Sequence, residues 1–176
     1  MNITMRNTLV GILLLEVAAG SISPAIAGPH ALGAGMRWHR EQSAFTELPF
    51  SDEDVSYAVT YEYHDKNAYW QIVADYAPEP SRTNTVDYVI TPQLNLILAD
   101  RIWRAGVGIM SSYLSSKDTG ASEWTDVYWQ CLAGIEFPVA RLLFGMHAYY
   151  VFDQWKNWKD FEWADVEYAA WLRYQF

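Results

Sequence analysis

The sequence predicts an all-β protein, an antiparallel up-and-down transmembrane β-barrel of about eight strands with no separate soluble domain. Three observations predict it. Apolar and polar residues alternate with a two-residue period in segment after segment. The segments run to about 9 to 14 residues, where soluble sheets average about 5 or 6 and a tilted strand needs about 9 to 11 to cross a bilayer. Their connections alternate between tight turns and longer loops.

The elements follow in order. Residues 1–27 read as a signal peptide: MNITMR supplies a positive charge, NTLVGILLL an apolar stretch, and Ala25-Ile26-Ala27 the small residues of a cleavage site. That leaves 28–176 as the barrel domain. A weak first strand falls at 36–44. In 54–64 the odd positions Val55, Tyr57, Val59, Tyr61 and Tyr63 form one face, with polar or small residues between them. In 86–99, Val86, Tyr88, Ile90, Leu94, Leu96 and Leu98 share one side, while Asp87, Thr91, Gln93 and Asn95 share the other. The same alternation marks 68–77, 102–114, 125–137, 141–152 and 165–176.

HDKN, Asp100-Arg101 and Pro138-Val139 read as tight turns, and TELPFSDE, PEPSRTNT, SSKDTGAS and QWKNWKD as longer loops at the opposite end. With Lys66-Asn67 at a tip, Tyr63 faces Trp70 and His64 faces Tyr69. With Pro138-Val139 at a tip, Glu136 faces Arg141.

Composition narrows the function classes. The chain is 16% aromatic, with 9 Trp and 12 Tyr, yet its mean hydropathy is only −0.10; the aromatics are interleaved with polar residues, and no mature segment suits a spanning helix. A net charge of −9 disfavours nucleic acid as a partner. The single cysteine, Cys131, forms no internal disulfide, and no Cys/His cluster has zinc-site spacing. SDED lacks the glycine and ligand spacing of a calcium loop. No metal or cofactor is expected.

Aromatic placement bears on which face is outside. On the apolar face, Trp70, Trp103, Phe137, Tyr174 and Phe176 lie near the short turns, and Tyr57, Tyr76, Tyr113, Trp129, Tyr150 and Phe152 toward the long loops. Two aromatic bands flanking aliphatic residues are what bilayer interfaces select. A soluble periplasmic barrel of the lipocalin type, apolar face inward around a ligand, is the alternative.

The final segment EYAAWLRYQF resembles the terminal strand of Gram-negative outer-membrane β-barrels, which ends in Phe after alternating hydrophobic residues. The resemblance, to small barrels of the OmpA and OmpX type, is architectural. It implies location in the cell outer membrane, partners in outer-membrane lipid and lipopolysaccharide, and Phe176 as an assembly signal read by the barrel-assembly machinery. Lipid A-modifying enzymes also use barrels of this size. Their deacylases carry a His-x-Ser pair, for which His147-Ala148-Tyr149 lacks the hydroxyl; their palmitoyltransferases place an amphipathic helix ahead of the barrel, and GPHALGAG is not one. No serine with a plausible base emerges, His30, His39 and His64 are scattered, and no catalytic residue or enzyme activity is expected.

An eight-stranded barrel is just wide enough for its own side chains. Trp163, Trp171, Tyr149 and Gln93 are expected to point inward, with Gly106, Gly108, Gly134 and Gly145 leaving room for the rings. Glu62, Arg104, Glu136, Arg141 and Arg173 are expected to form a lumen ion-pair network. Asp87, Asp126 and Asp165 are expected to gather at an acidic outer mouth favouring cations, so that any pore is narrow and cation-preferring. The sequence therefore predicts a structural or interaction barrel of the envelope.

Overall fold

Alternation at period two becomes a wall in which every second side chain points into the barrel. The computed structural model describes residues 28–41, 48–52, 54–117, 119–156 and 161–176. The signal peptide read at 1–27 and the Trp158-Lys159 part of the last long loop lie outside them. The strands are β1 His30–Trp38, β2 Val55–Asp65, β3 Ala68–Pro78, β4 Val86–Asp100, β5 Trp103–Met110, β6 Tyr113–Ser116, β7 Ser122–Trp124, β8 Tyr128–Val139, β9 Leu142–Phe152 and β10 Glu167–Gln175. No described helix is long and apolar enough to cross a membrane.

Each strand of the ring is antiparallel to its neighbours, in the order β1, β2, β3, β4, β5, β8, β9, β10 and back to β1. Closure rests on β1, whose Leu32 lies opposite Tyr61 on one side and Tyr174 on the other. The main-chain N–H of Phe176 donates to the His30 carbonyl at 2.8 Å. Every long strand is thus paired on both edges, as a hydrocarbon environment demands. β6 continues the line of β5 along the start of β4, and β7 pairs with β6 as a hairpin beyond the ring.

The structure moves several boundaries, each for a local reason. β1 is His30–Trp38, not 36–44. Its period was hidden because its inward positions include Gly33 and Gly35. A Cβ on Gly35 would sit 2.4 Å from the Trp171 ring and one on Gly33 2.6 Å from Arg173 Cγ, so the large inward residues of β10 require small ones opposite.

The expected strand 102–114 is broken at Ser111-Ser112. Pro92, opposite, has no N–H to donate, and Ser112 turns instead to Thr125, its N–H donating to Thr125 Oγ1 at 2.9 Å. The β8–β9 turn is Ala140-Arg141, since Val139 pairs with Leu142. Glu136 therefore lies opposite Gly145 rather than Arg141. The shift preserves parity, so the faces of both strands are unchanged. Ala140, Lys66 and Arg101, each opening a two-residue turn, adopt positive φ of 56°, 54° and 51°. An irregularity between Val86 and Tyr88 in the β4–β6 pairing turns Val86 inward and leaves Asp87 exposed, the reverse of the expected faces.

The barrel is inside out relative to a soluble protein. Buried positions include Arg37, Glu62, Gln71, Asp75, Asn95, Gln130, Glu136 and Arg173, whereas Leu32, Trp70, Leu98, Trp103, Met146 and Tyr168 are exposed. At the long-loop end the interior turns apolar. There Leu48 and Phe50, from the loop between β1 and β2, pack with Val89, Met110, Leu114, Tyr128 and Val151. Phe152, expected in the outer band, is buried with its ring edge-on to Trp155.

Candidate functional site: the charged interior

Three strands whose inward positions carry arginine supply the cations of the interior. Toward the short turns, Arg173 on β10 reaches Glu62 on β2 (Nε to Oε1, 3.0 Å) and donates from Nη1 to Glu136 on β8. Arg104 on β5 donates to the other Glu136 oxygen from Nε at 3.1 Å. His64 Nε2 lies 2.9 Å from Glu62 Oε2, and its ring stacks on Tyr69 at 4.4 Å between centroids. Removing these charges from water costs several kcal/mol per ion, which close pairing of opposite charges offsets, although Arg173 Nη2 is left without a hydrogen-bond partner.

Amides connect this layer to the next. Gln71 donates to Glu62 at 2.7 Å, Asn95 to Gln71 at 2.9 Å, and Gln130 to both Asn95 and Gln93 at 2.7 Å. Gln93 in turn donates to Asp75. Toward the long loops, Arg37 at the end of β1 donates from Nε to Glu167 Oε2 at 2.6 Å, shares Gln130 Oε1 through both Nη atoms, and approaches Asp75 at 3.8 Å. Its guanidinium lies 4.5 Å from the centre of the Tyr149 ring. Glu167 Oε1 is 3.2 Å from His39 Nδ1, and His39 Nε2 is 3.1 Å from Ser56 Oγ.

Of the residues assigned to a lumen network, Glu62, Arg104, Glu136 and Arg173 come together. Arg141 does not. At the exposed tip of the β8–β9 turn it donates to the Tyr174 hydroxyl at 3.1 Å on the outer surface, because the turn falls two residues later than the spacing suggested.

The acidic mouth is likewise not assembled. Asp87 is exposed near the start of β4, Asp126 is exposed in the loop between β7 and β8, and Asp165 sits in the short 3-10 turn Trp163–Asp165. Burial, and then the charge of Glu162, raise the Asp165 carboxyl above its usual pKa. Among the described residues no three His, Cys, Asp or Glu side chains are placed to share a cation. Trp163, expected inside, is 80% exposed in that turn, while Trp171, Tyr149 and Gln93 are buried in the interior. Phe176 points outward, its ring stacked at 5.9 Å on His30.

The sequence alone did not join Arg37, Asp75 and Glu167, nor mark Ser56 and His39 as their partners. The signal was faint. Arg37 and Glu167 are 130 residues apart and meet only because the ring closes, and His39 follows the strand whose boundary was misplaced.

No family model matches the chain, and no curated protein does. Among solved structures, the chain is similar to the crystal structure of Neisserial surface protein A (NspA), with 12% identity, a TM-score of 0.52, and coverage of 85% of this chain and 99% of that one. A second likeness, to Ail, the attachment invasion locus protein of Yersinia pestis, has 14% identity and a TM-score of 0.39 over 84% of this chain and 96% of that one. The first likeness is one of fold: a closed, eight-stranded antiparallel barrel of the small outer-membrane type.

Proposed function

We propose that this chain is an integral protein of the outer membrane of a Gram-negative cell, serving the envelope as a structural or interaction barrel whose filled lumen passes little or no solute. The observation that carries this reading is the inverted distribution of residues. Two buried arginines (Arg37, Arg173), the half-buried Arg104 and four buried carboxylates (Glu62, Asp75, Glu136, Glu167) form one network, while leucines, valines and aromatic rings cover the outside. In water that exterior would aggregate, and an inward ligand site of the lipocalin kind would need an apolar rather than a charged middle. The partners are outer-membrane lipid and lipopolysaccharide along the wall, with the barrel-assembly machinery acting on the Phe176 strand during biogenesis.

A pore reading finds less support. The long-loop end of the interior is packed by Leu48 and Phe50, and two of the three mouth aspartates lie on the surface. Membrane fractionation followed by electrophoresis with and without boiling tests the proposal. The folded barrel should sediment with the outer membrane and migrate differently before and after boiling. Recovery with soluble periplasmic contents, and no such shift, would overturn it.

A further inference from the structure

Ser56, His39 and Glu167 arrive from separate parts of the chain and meet at the long-loop end of the interior. β2 supplies Ser56 at an inward position opposite Arg37 of β1. β10 begins with Glu167, and His39 directly follows β1, its N–H held by the Asp54 carbonyl at 2.8 Å. The order of contacts is directional: Ser56 Oγ to His39 Nε2 at 3.1 Å, His39 Nδ1 to Glu167 Oε1 at 3.2 Å, and Glu167 Oε2 to Arg37 Nε at 2.6 Å. All four side chains are more than nine-tenths buried. With Nδ1–H donating to the carboxylate, Nε2 is the acceptor for the serine proton. This is the tautomer a general base needs, and the spacing is that of a nucleophile, a base and an orienting carboxylate.

We propose that Ser56 is the nucleophile of a second activity, cleavage of an acyl ester, with His39 as its base and Glu167 as the residue that orients His39. The substrate class follows from what surrounds the group. Phe50 lies flat on the His39 ring, centroids 3.8 Å apart and planes 7° from parallel. Together with Leu48 it fills an apolar section bounded by Val89, Met110, Leu114 and Val151. A hydrocarbon chain has the shape and polarity to replace those two side chains, its ester carbonyl then lying at Ser56. The substrate is an ester of a long-chain fatty acid, which a membrane supplies.

The chemistry balances. Ser56 Oγ bonds to the carbonyl carbon as its proton passes to His39 Nε2; the ester C–O bond breaks, and the departing alcohol takes that proton. Water, deprotonated by the same imidazole, then attacks the acyl carbon; the acyl–Ser56 bond breaks, Ser56 Oγ takes the proton back from His39, and the fatty acid is released. Glu167 stabilises the imidazolium formed in each half, and Arg37 holds the carboxylate from its far oxygen. This activity goes beyond the envelope role and stands or falls separately from it.

The test uses the full chain folded in detergent micelles or phospholipid vesicles, with folding checked by the heat-dependent gel shift, and a long-chain alkyl fluorophosphonate as probe. Peptide mapping of the unsubstituted protein should find the adduct on Ser56, with none in Ser56→Ala. His39→Gln should be labelled at least about 100-fold more slowly, since a positioned general base is worth roughly 10²–10⁴-fold. Phe50→Ala, which uncovers His39, should be labelled faster. p-Nitrophenyl esters of long-chain acids should be hydrolysed in preference to the acetate. No adduct on Ser56 in either the unsubstituted chain or Phe50→Ala would overturn the proposal, as would equal labelling with and without His39. Mapping on the unsubstituted chain decides the matter even where a variant does not fold.

Discussion

Glu136 shows how much one inward side chain can carry. It accepts from Arg104 through one oxygen and from Arg173 through the other, at 1% exposure. Glu136→Gln removes the carboxylate charge that Arg104 and Arg173 share, leaving Arg173 with Glu62, and breaking a buried pairing of this kind costs about 3–5 kcal/mol. Denaturant titration in detergent should show that loss, while Arg141→Ala, at an exposed turn, should leave the midpoint nearly unchanged. A second contrast lies at the C-terminus. Phe176 faces outward and stacks on His30 and Tyr174, whereas Gln175 points inward and donates to the Gly28 carbonyl at 3.2 Å. Deleting Phe176 or changing it to Asp should lower the amount of membrane-inserted protein far more than Gln175→Ala, as read by fractionation and immunoblot. Equal losses would remove the terminal ring from the assembly argument.

Adjacent strands of this barrel are matched to one another by size at neighbouring inward positions. β5 carries Gly106 and Gly108 where β4 offers Ile97 and Asn95. A Cβ on Gly108 would fall 1.8 Å from Asn95 Oδ1, the oxygen that accepts from Gln130. Gly108→Ala therefore pushes Asn95 aside and leaves a buried donor unpaired, for an expected loss of about 1–3 kcal/mol. Gly120→Ala serves as the comparison. That residue has φ of +62° and open space around it, so the change costs only local backbone strain of about 1 kcal/mol. Urea midpoints for the two variants should differ in that order.

At the scale of the whole molecule, the outer surface is largely apolar while the interior holds a continuous polar network closed at one end by Leu48 and Phe50. Planar-bilayer recordings should therefore show little or no current. Converting Asp87, Asp126 and Asp165 together to Asn should leave whatever current exists unchanged, because Asp87 and Asp126 are exposed, Asp165 sits in a separate turn, and no three acidic or histidine side chains among the described residues are placed to share a cation. A cation current abolished by the triple change would restore the acidic-mouth mechanism.

Much of this was legible before any coordinates. Period two, strand length and alternating connections determine an up-and-down barrel because each is a property of a single strand or turn. Tyr57 through Tyr63 and Leu94 through Leu98 declare their faces without reference to a partner. β1 did not, since its inward glycines answer to Trp171 and Arg173 on a strand more than 130 residues away. Which charges pair was equally hidden. Arg141 has the right parity for the lumen and lies outside it, because the turn, not the period, sets where a strand ends. His39 and Ser56 meet Glu167 only when β10 closes on β1. A side chain's face is a local consequence of the backbone pleat, whereas its partner depends on register and ring closure, which are set by every strand at once.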